Sequence, residues 1–525
     1  MGNDNQIIIM SNARSHLEKA ISLNPEFAEA YYELGVLLKE ENSIEECIKN
    51  FKKAVEIKPD YAKAQCELGI ALSVNDDLEN ARNCFLNALE VDPNFAHAYF
   101  NYGLLLIKIE DFEEAKNNFD KVTEINQNFE QAYYYKATLL TNADDFEEAR
   151  KNYETAIDIN SDYIEAHYSM GKLLSGGVAT NKEGSIIDKT NYPEAKKHFE
   201  KVIKLDAEHY KAHYNLAKLL FLENEVNKAK KSLLCSIKIN SEYSKAHYLL
   251  ASCYEREEDL SKALKHYNLS VQFFKENALA HFKIGVILRQ QNELKKAEEN
   301  LKKAILYNSE LDQAHFHLAM ILRDDDDASL AKKHFFKALE INPEYSLAYY
   351  ELAHHCEKNG DLNEAKIHFQ KATDVDQNFV EAYFNLARIL NSPAEHDQAV
   401  RNYETALEID PKMSICHYWF AKLLTSGQKL ANDGTLLSEP NPEKAKFHFE
   451  KAIQIDPSFD KAYYRLGLLL YDAMEYKNAY EKFLKAIKLN ASFARAHYSL
   501  AVLLMNKDAV NIIDLKSTNS GRRKK

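Results

Sequence analysis

Apolar and polar positions along this chain recur with a period of 34 residues. In the segment Ala28 to Tyr61, positions 4, 7, 8 and 11 (Tyr31, Leu34, Gly35, Leu38) are apolar or small. In the next segment positions 17, 20, 24 and 27 (Leu78, Ala81, Phe85, Ala88) are apolar, with polar residues between them. Spacings of three and four place each set on one face of an α-helix. Every repeat therefore predicts two amphipathic helices joined by a turn.

The register runs thirteen times, with two pauses of twelve residues. Position 8 is always Gly or Ala, from Gly35, Gly69 and Gly103 to Ala421 and Gly467, and position 20 is Cys47 once and alanine twelve times. Position 24 is large, as in Phe51, Phe119, Tyr153, Leu233, Phe369 and Phe483. Small residues at 8 and 20 let two helix axes approach while the large residue fills the space beside them. Pro25, Pro59, Pro93, Pro343, Pro411 and Pro457 all fall at position 32, where a residue without an amide donor ends a helix. Repeats of this kind cannot bury their apolar faces alone, so successive copies must stack.

These residues carry a resemblance. A helix-turn-helix of 34 residues with small residues at 8 and 20, an aromatic at 24, Ala at 27 and Pro at 32 resembles the tetratricopeptide repeat. The resemblance covers about nine tenths of the chain. It departs at position 4, usually tryptophan in the family, where this chain has Tyr, His or once Gln65. The resemblance implies an all-α fold, a right-handed superhelical α-solenoid whose first helices line a concave groove for peptides or partner proteins. The expected organisation is a half repeat with only a second helix in 1–27, thirteen repeats in 28–493, and a terminal capping helix with a basic tail in 494–525.

The repeats at 164–209 and 414–459 each carry twelve extra residues between their helices, and their starts are 250 residues apart. The same interval returns Gln127-Asn128-Phe129 as Gln377-Asn378-Phe379 and Gly184 as Gly434, which points to a tandem duplication of about seven repeats. Two expectations stand for the insertions: a pair of docking hairpins around Ser185 to Asp188 and Thr435 to Ser438, or one tolerated insertion copied with its block. A superhelix turning once in seven or eight repeats, as the resemblance implies, would bring both loops out on the same side.

Composition narrows the function. Lys and Arg number 67 against 80 Asp and Glu, a net charge of −13, which opposes a broad embrace of nucleic acid or anionic lipid. Seven cysteines without any Cys-x-x-Cys spacing suit neither a disulfide framework nor a zinc site, and fit a reducing compartment, so the expected location is cytoplasmic, with nuclear import through the basic tail as the weaker alternative. No apolar run reaches the roughly 18 residues of a membrane span. No nucleophile with its base, phosphate loop or metal cluster stands out, and neither enzyme activity nor a cofactor is expected. The acidic run Asp324 to Asp327 lacks the glycine and glutamate of a calcium loop and reads as a solvated turn.

By the same resemblance, positions 2, 5, 6, 9, 12 and 13 of the first helix face the groove. Position 5 is aromatic in all repeats but one, including Tyr168, Tyr214, Tyr418 and Tyr464; these rings either line the groove or pack between successive helices. Cations gather twice at positions 2, 6 and 9: Lys172, Lys211, Lys218 and Lys245, then Arg388, Lys422, Lys461 and Arg465. In an acidic chain these patches suit acidic peptide segments, or else are solvated lysines. The Lys-and-Asn pairing of chaperone-adaptor members at positions 5 and 9 occurs in no repeat. Histidines recur at position 4 (His167, His213, His247, His281, His315, His417, His497), a packing position rather than a metal ladder. The function expected is a non-catalytic interaction scaffold; the alternative is the substrate-recruiting arm of an enzyme such as a glycosyltransferase assembly.

Overall fold

Helix ends set the period. Between the two helices of a repeat, position 15 adopts a left-handed backbone: Asn42, Asp76, Glu110, Asn224, Glu258, Asn292 and Met474 have φ of 61–63°, and Gly360 has 87°. The reversal lets the following amide reach back across the turn, as Ser43 N–H does to the Leu38 carbonyl at 2.9 Å, satisfying an oxygen the helix end leaves open. Between repeats an Asx turn does the corresponding work. Asp92 Oδ1 accepts from the Asn94 amide at 3.0 Å, and Asn126, Asn160, Asp376 and Asp410 receive the amide two residues on in the same way. Proline at position 32 sits inside this turn, where its missing N–H costs nothing.

The computed structural model describes residues 2–140, 145–176, 178–180, 186–188, 190–324, 328–426, 429–430, 436–438, 440–506 and 509. The chain packs as two compact halves, Met1–Phe273 and Phe274–Lys525. In the first half, helix Gly2–Leu23 precedes helix pairs running from Ala28–Glu40 with Ile44–Ile57 to Ser244–Arg256 with Leu260–Phe273. In the second, pairs run from Ala278–Gln290 with Leu294–Tyr307 to Asp460–Asp472 with Tyr476–Leu489, followed by Ala494–Met505. The division falls where the 250-residue interval carries Ala28 onto Ala278, so each half corresponds to one copy of the duplicated block. Within each half, helices pack against their partner in the repeat and against the next repeat.

The fold is the expected all-α repeat architecture, with one addition. Both insertions contain a two-stranded antiparallel ladder: Val178–Thr180 with Ile186–Asp188, and Lys429–Leu430 with Leu436–Ser438. The chain returns from each in the same way. Asn191 and Asn441 donate backbone N–H to Leu174 and Leu424 carbonyls at 2.8 and 3.0 Å, and their side chains cap the helices that follow. The loop tips with Gly184, Ser185, Gly434 and Thr435, the run from Asp325 to Asp327 and the tail from Lys516 lie outside the described residues.

The small and large positions meet as the pattern requires. Phe51, Phe119, Phe199 and Phe483 have no exposed surface, and a Cβ placed on Gly103 would stand 2.8 Å from two ring carbons of Phe119. Yet Ala319 occupies the same position opposite the buried Phe335. Gly103→Ala should therefore be close to neutral, because the ring movement of about half an ångström that the alanine repeats already accommodate is offset by better helix propensity. Gly103→Val should cost about 3 kcal/mol by overpacking. Thermal melts of the two variants beside wild type measure the difference.

Candidate functional site

The first helices of two adjacent repeats in the second half, Ser414–Leu424 and Asp460–Asp472, and the helix Ala494–Met505 border an open cavity of about 580 Å³. Its walls carry five aromatic rings: Tyr418, Trp419, Phe459, Tyr464 and Phe493. Two pairs hold the wall together, Tyr418 against Phe459 and Tyr464 against Phe493, each with centroids 4.9 Å apart. Both pairs join position 5 of one repeat to the aromatic that precedes the next first helix. Tyr32 with Tyr61, Phe100 with Phe129 and Tyr350 with Phe379 do the same elsewhere. Position 5 is thus a packing position, and at Tyr418 and Tyr464 the packed rings also face the cavity.

Four cations surround these rings: Lys422, Lys461, Arg465 and Arg495. None of the four forms an ion pair among the described residues. Lys422 Nζ lies 4.1 Å over the Trp419 ring, a cation–π contact. Burial, reinforced by the neighbouring Arg465 charge, pulls the Lys422 pKa below the ordinary lysine value. A lysine so placed gains from any anion that enters. The cavity thus combines an aromatic wall with a cluster of positive charge.

The structure brings together five of the residues expected in the second patch (Tyr418, Lys422, Lys461, Tyr464 and Arg465) and separates the sixth. Arg388 donates from Nη2 to both Glu357 carboxylate oxygens at 2.7 and 2.8 Å, so its charge is spent within the fold. Trp419 and Arg495 were absent from the expected set. Both occupy groove positions, 6 and 2, and Trp419 is the chain's single tryptophan, a signal that composition alone provided.

The 250-residue interval links this site to the first patch. Lys172, Lys211 and Lys245 correspond to Lys422, Lys461 and Arg495, and Tyr168 and Tyr214 to Tyr418 and Tyr464. All three lysines are exposed, as is Lys218, whose counterpart is Leu468. Lys172 and Lys211 reach over Tyr168 and Tyr210 at 5.9 and 5.8 Å. Two differences matter: Trp419 replaces Ser169, and Arg465 replaces Asn215, which donates to the Tyr168 hydroxyl at 3.1 Å.

Four of the position-4 histidines pair with a second histidine in their own repeats. His167, His247, His315 and His417 each place Nδ1 2.8–3.1 Å from Nδ1 of His198, His266, His334 and His448 at position 23. In each, Nε2 donates to a backbone carbonyl 3.0–3.2 Å away, of Ser161, Ser241, Ser309 and Pro411 respectively. A carbonyl only accepts, so this nitrogen carries the proton and the neutral ring's Nδ1 is an acceptor. The partner must then donate its own Nδ1–H. Burial, with the facing imidazole second, lowers the four partner rings to about 4.

Among the described residues no helix is long and apolar enough to cross a membrane. Sequence comparison identifies the repeats: tetratricopeptide repeat descriptions match residues 28–61, 62–95, 84–117, 139–175, 187–234, 278–310, 312–345, 347–379 and 380–413. No curated protein matches the chain. Among solved structures it is similar to the yeast Tom70 crystal structure at 16% identity, covering 95% of this chain and 97% of that one with a TM-score of 0.32. It is also similar to the APC/C hetero-tetramer Cut9–Hcn1, at 12% identity, covering 95% and 94% with a TM-score of 0.35. A third likeness, at 22% identity over 35% of this chain and 95% of the other with a TM-score of 0.32, is YrrB, described as a TPR protein with an unusual peptide-binding site. The matched repeats span more than half of the chain, which accordingly belongs to the tetratricopeptide repeat family, a family of protein-interaction scaffolds.

Proposed function

We propose that this protein is a non-catalytic scaffold that captures acidic peptide segments bearing an aromatic or aliphatic anchor, in the cavity between Trp419 and Arg495. One observation carries the reading: four cations without carboxylate partners among the described residues ring an aromatic cavity of about 580 Å³, in a chain whose net charge is −13. Partly buried cations elsewhere are spent on local pairs, as Lys39 is on Glu67 at 2.7 Å and Arg388 on Glu357. These four are left for a ligand. The equivalent positions around Lys172, Lys211 and Lys245 form a second site of the same kind without the tryptophan and the arginine, and so a weaker one. All seven cysteines are free thiols and six of them are buried, which suits a cytoplasmic setting.

Trp419 gives this reading its own reporter, because it is the only tryptophan and lies in the cavity wall. Titration with a blocked acidic peptide carrying a central phenylalanine should change Trp419 fluorescence with micromolar affinity. The response should weaken several-fold between 50 and 500 mM salt, where the Debye length falls to a few ångströms. An equal response to the same peptide with lysines for its carboxylates, or no saturable response, would reject the acidic-peptide reading.

A further inference from the structure

In the second half, Cys356 near the end of helix Ser346–Lys358 faces Glu364 and His368, one turn apart on helix Leu362–Val375. A thiol, a carboxylate oxygen and an imidazole nitrogen here all lie within 4.8 Å of one another. Cys356 Sγ is 3.5 Å from Glu364 Oε2. Around a tetrahedral zinc, bonds of about 2.3 Å to sulfur and 2.1 Å to oxygen put those two ligands about 3.6 Å apart, so this edge is already at coordination spacing. The imidazole needs to close by about 1 Å.

His368 is 6% exposed and its Nδ1 has no hydrogen-bond partner. The reason is local. In four other repeats the position-23 histidine meets a histidine at position 4, but here position 4 is Tyr349, whose ring lies 6.2 Å away and offers His368 no acceptor in its place. The duplicated block provides a second observation. The residues 250 earlier are Leu106, Glu114 and Asn118, so the carboxylate is common to both copies while the two positions around it became thiol and imidazole together. In the first copy Glu114 accepts from the Tyr102 hydroxyl at 2.7 Å; the second copy has Leu352 there, and the thiol takes over as donor.

We propose that Cys356, Glu364 and His368 form a binding site for a divalent ion of zinc's borderline-soft class, with water as the fourth ligand. Thiolate, imidazole and carboxylate are the donor set such an ion prefers. On binding, the Cys356 S–H bond breaks, the sulfur keeps the electron pair for the metal, and the proton leaves to solvent. Lys332, which pairs with Glu364, opposes the ion and must give up that carboxylate oxygen.

The test uses the full-length reduced protein and Co²⁺ as probe, followed by displacement with Zn²⁺. Wild type should bind one Co²⁺ with a thiolate charge-transfer band near the ultraviolet edge, and equimolar Zn²⁺ should abolish it. Cys356→Leu and His368→Asn restore residues that the first copy already folds with, so far-UV circular dichroism should be unchanged. The first should eliminate the band, and the second should weaken Co²⁺ binding at least ten-fold. Lys332→Met should tighten binding several-fold by removing the competing charge. A wild type without the band, a band that survives Cys356→Leu, or His368→Asn binding as tightly as wild type would overturn the site.

Discussion

Acidification from pH 7 to pH 4 is expected to lower the melting temperature on the order of 10 °C more in wild type than in a variant with His198, His266, His334 and His448 replaced by asparagine. Each pair has one carbonyl-locked ring and one donating ring facing across about 3 Å. A single proton goes to Nε2 of the donating ring, which keeps its Nδ1–H on the partner but becomes a buried charge, and a second proton leaves two N–H groups pointing at each other. Burial holds the four partner rings at about 4, below the ordinary histidine value of 6.5. A folded-state value depressed in this way stabilises the fold fully above pH 6.5, and the contribution is lost as the pH falls toward 4. After discounting for partial exposure, the loss is roughly 1 to 2 kcal/mol per pair. Each half contains two pairs, so both should melt earlier in acid. Asparagine already occupies position 23 as Asn118, Asn152 and Asn402, which makes it a tolerated, non-titrating replacement. Equal acid sensitivity of the two proteins, measured by calorimetry, would show that the pairs do not control it.

Replacing Lys422 and Arg465 together by glutamate is expected to reduce affinity for the acidic probe peptide at least 100-fold while leaving the melting temperature within about 2 °C. The large effect on binding follows from turning two attractive charges into two repulsive ones beside a partly buried anion, where each contact is worth about 1.5 to 3 kcal/mol. The small effect on folding follows from the lack, among the described residues, of any carboxylate partner to be orphaned. Lys172→Glu with Lys211→Glu, the corresponding change in the first half, should leave the Trp419 response intact, since that site contains no tryptophan. Competition with a labelled peptide measures all three proteins. An affinity that withstands the Lys422 and Arg465 reversals would move the binding surface elsewhere on the repeats.

The cavity was partly legible in the chain. Lys422, Lys461 and Arg465 stood out because repeats impose a register and cations at groove positions break it visibly. Trp419 and Arg495 obeyed the same register, but one was unique and the other lay in the half repeat after the last full copy, so neither formed a pattern. Arg388 illustrates the opposite limit. Its position matched its neighbours', and only its distance to Glu357, 31 residues away along the chain, shows its charge to be neutralised. The histidine series was legible as packing, but not as donor–acceptor pairs, because their second members sit at a position shared by Asn, Ser, Cys and Lys.

From the chain alone came the 34-residue period, the two helices of each repeat, the small-to-large contact between positions 8 and 24, and the 250-residue duplication. All depend on spacing along one strand of sequence, where periodicity of 3.6 and the geometry of helix ends act locally. Tertiary structure decided which aromatic rings are used up in packing, which cations keep a free charge, where the chain divides into halves, and which cysteine meets a carboxylate and an imidazole. Those outcomes turn on contacts between helices whose members lie tens of residues apart, and charge neutralisation and burial respond to separation in space rather than order in the chain.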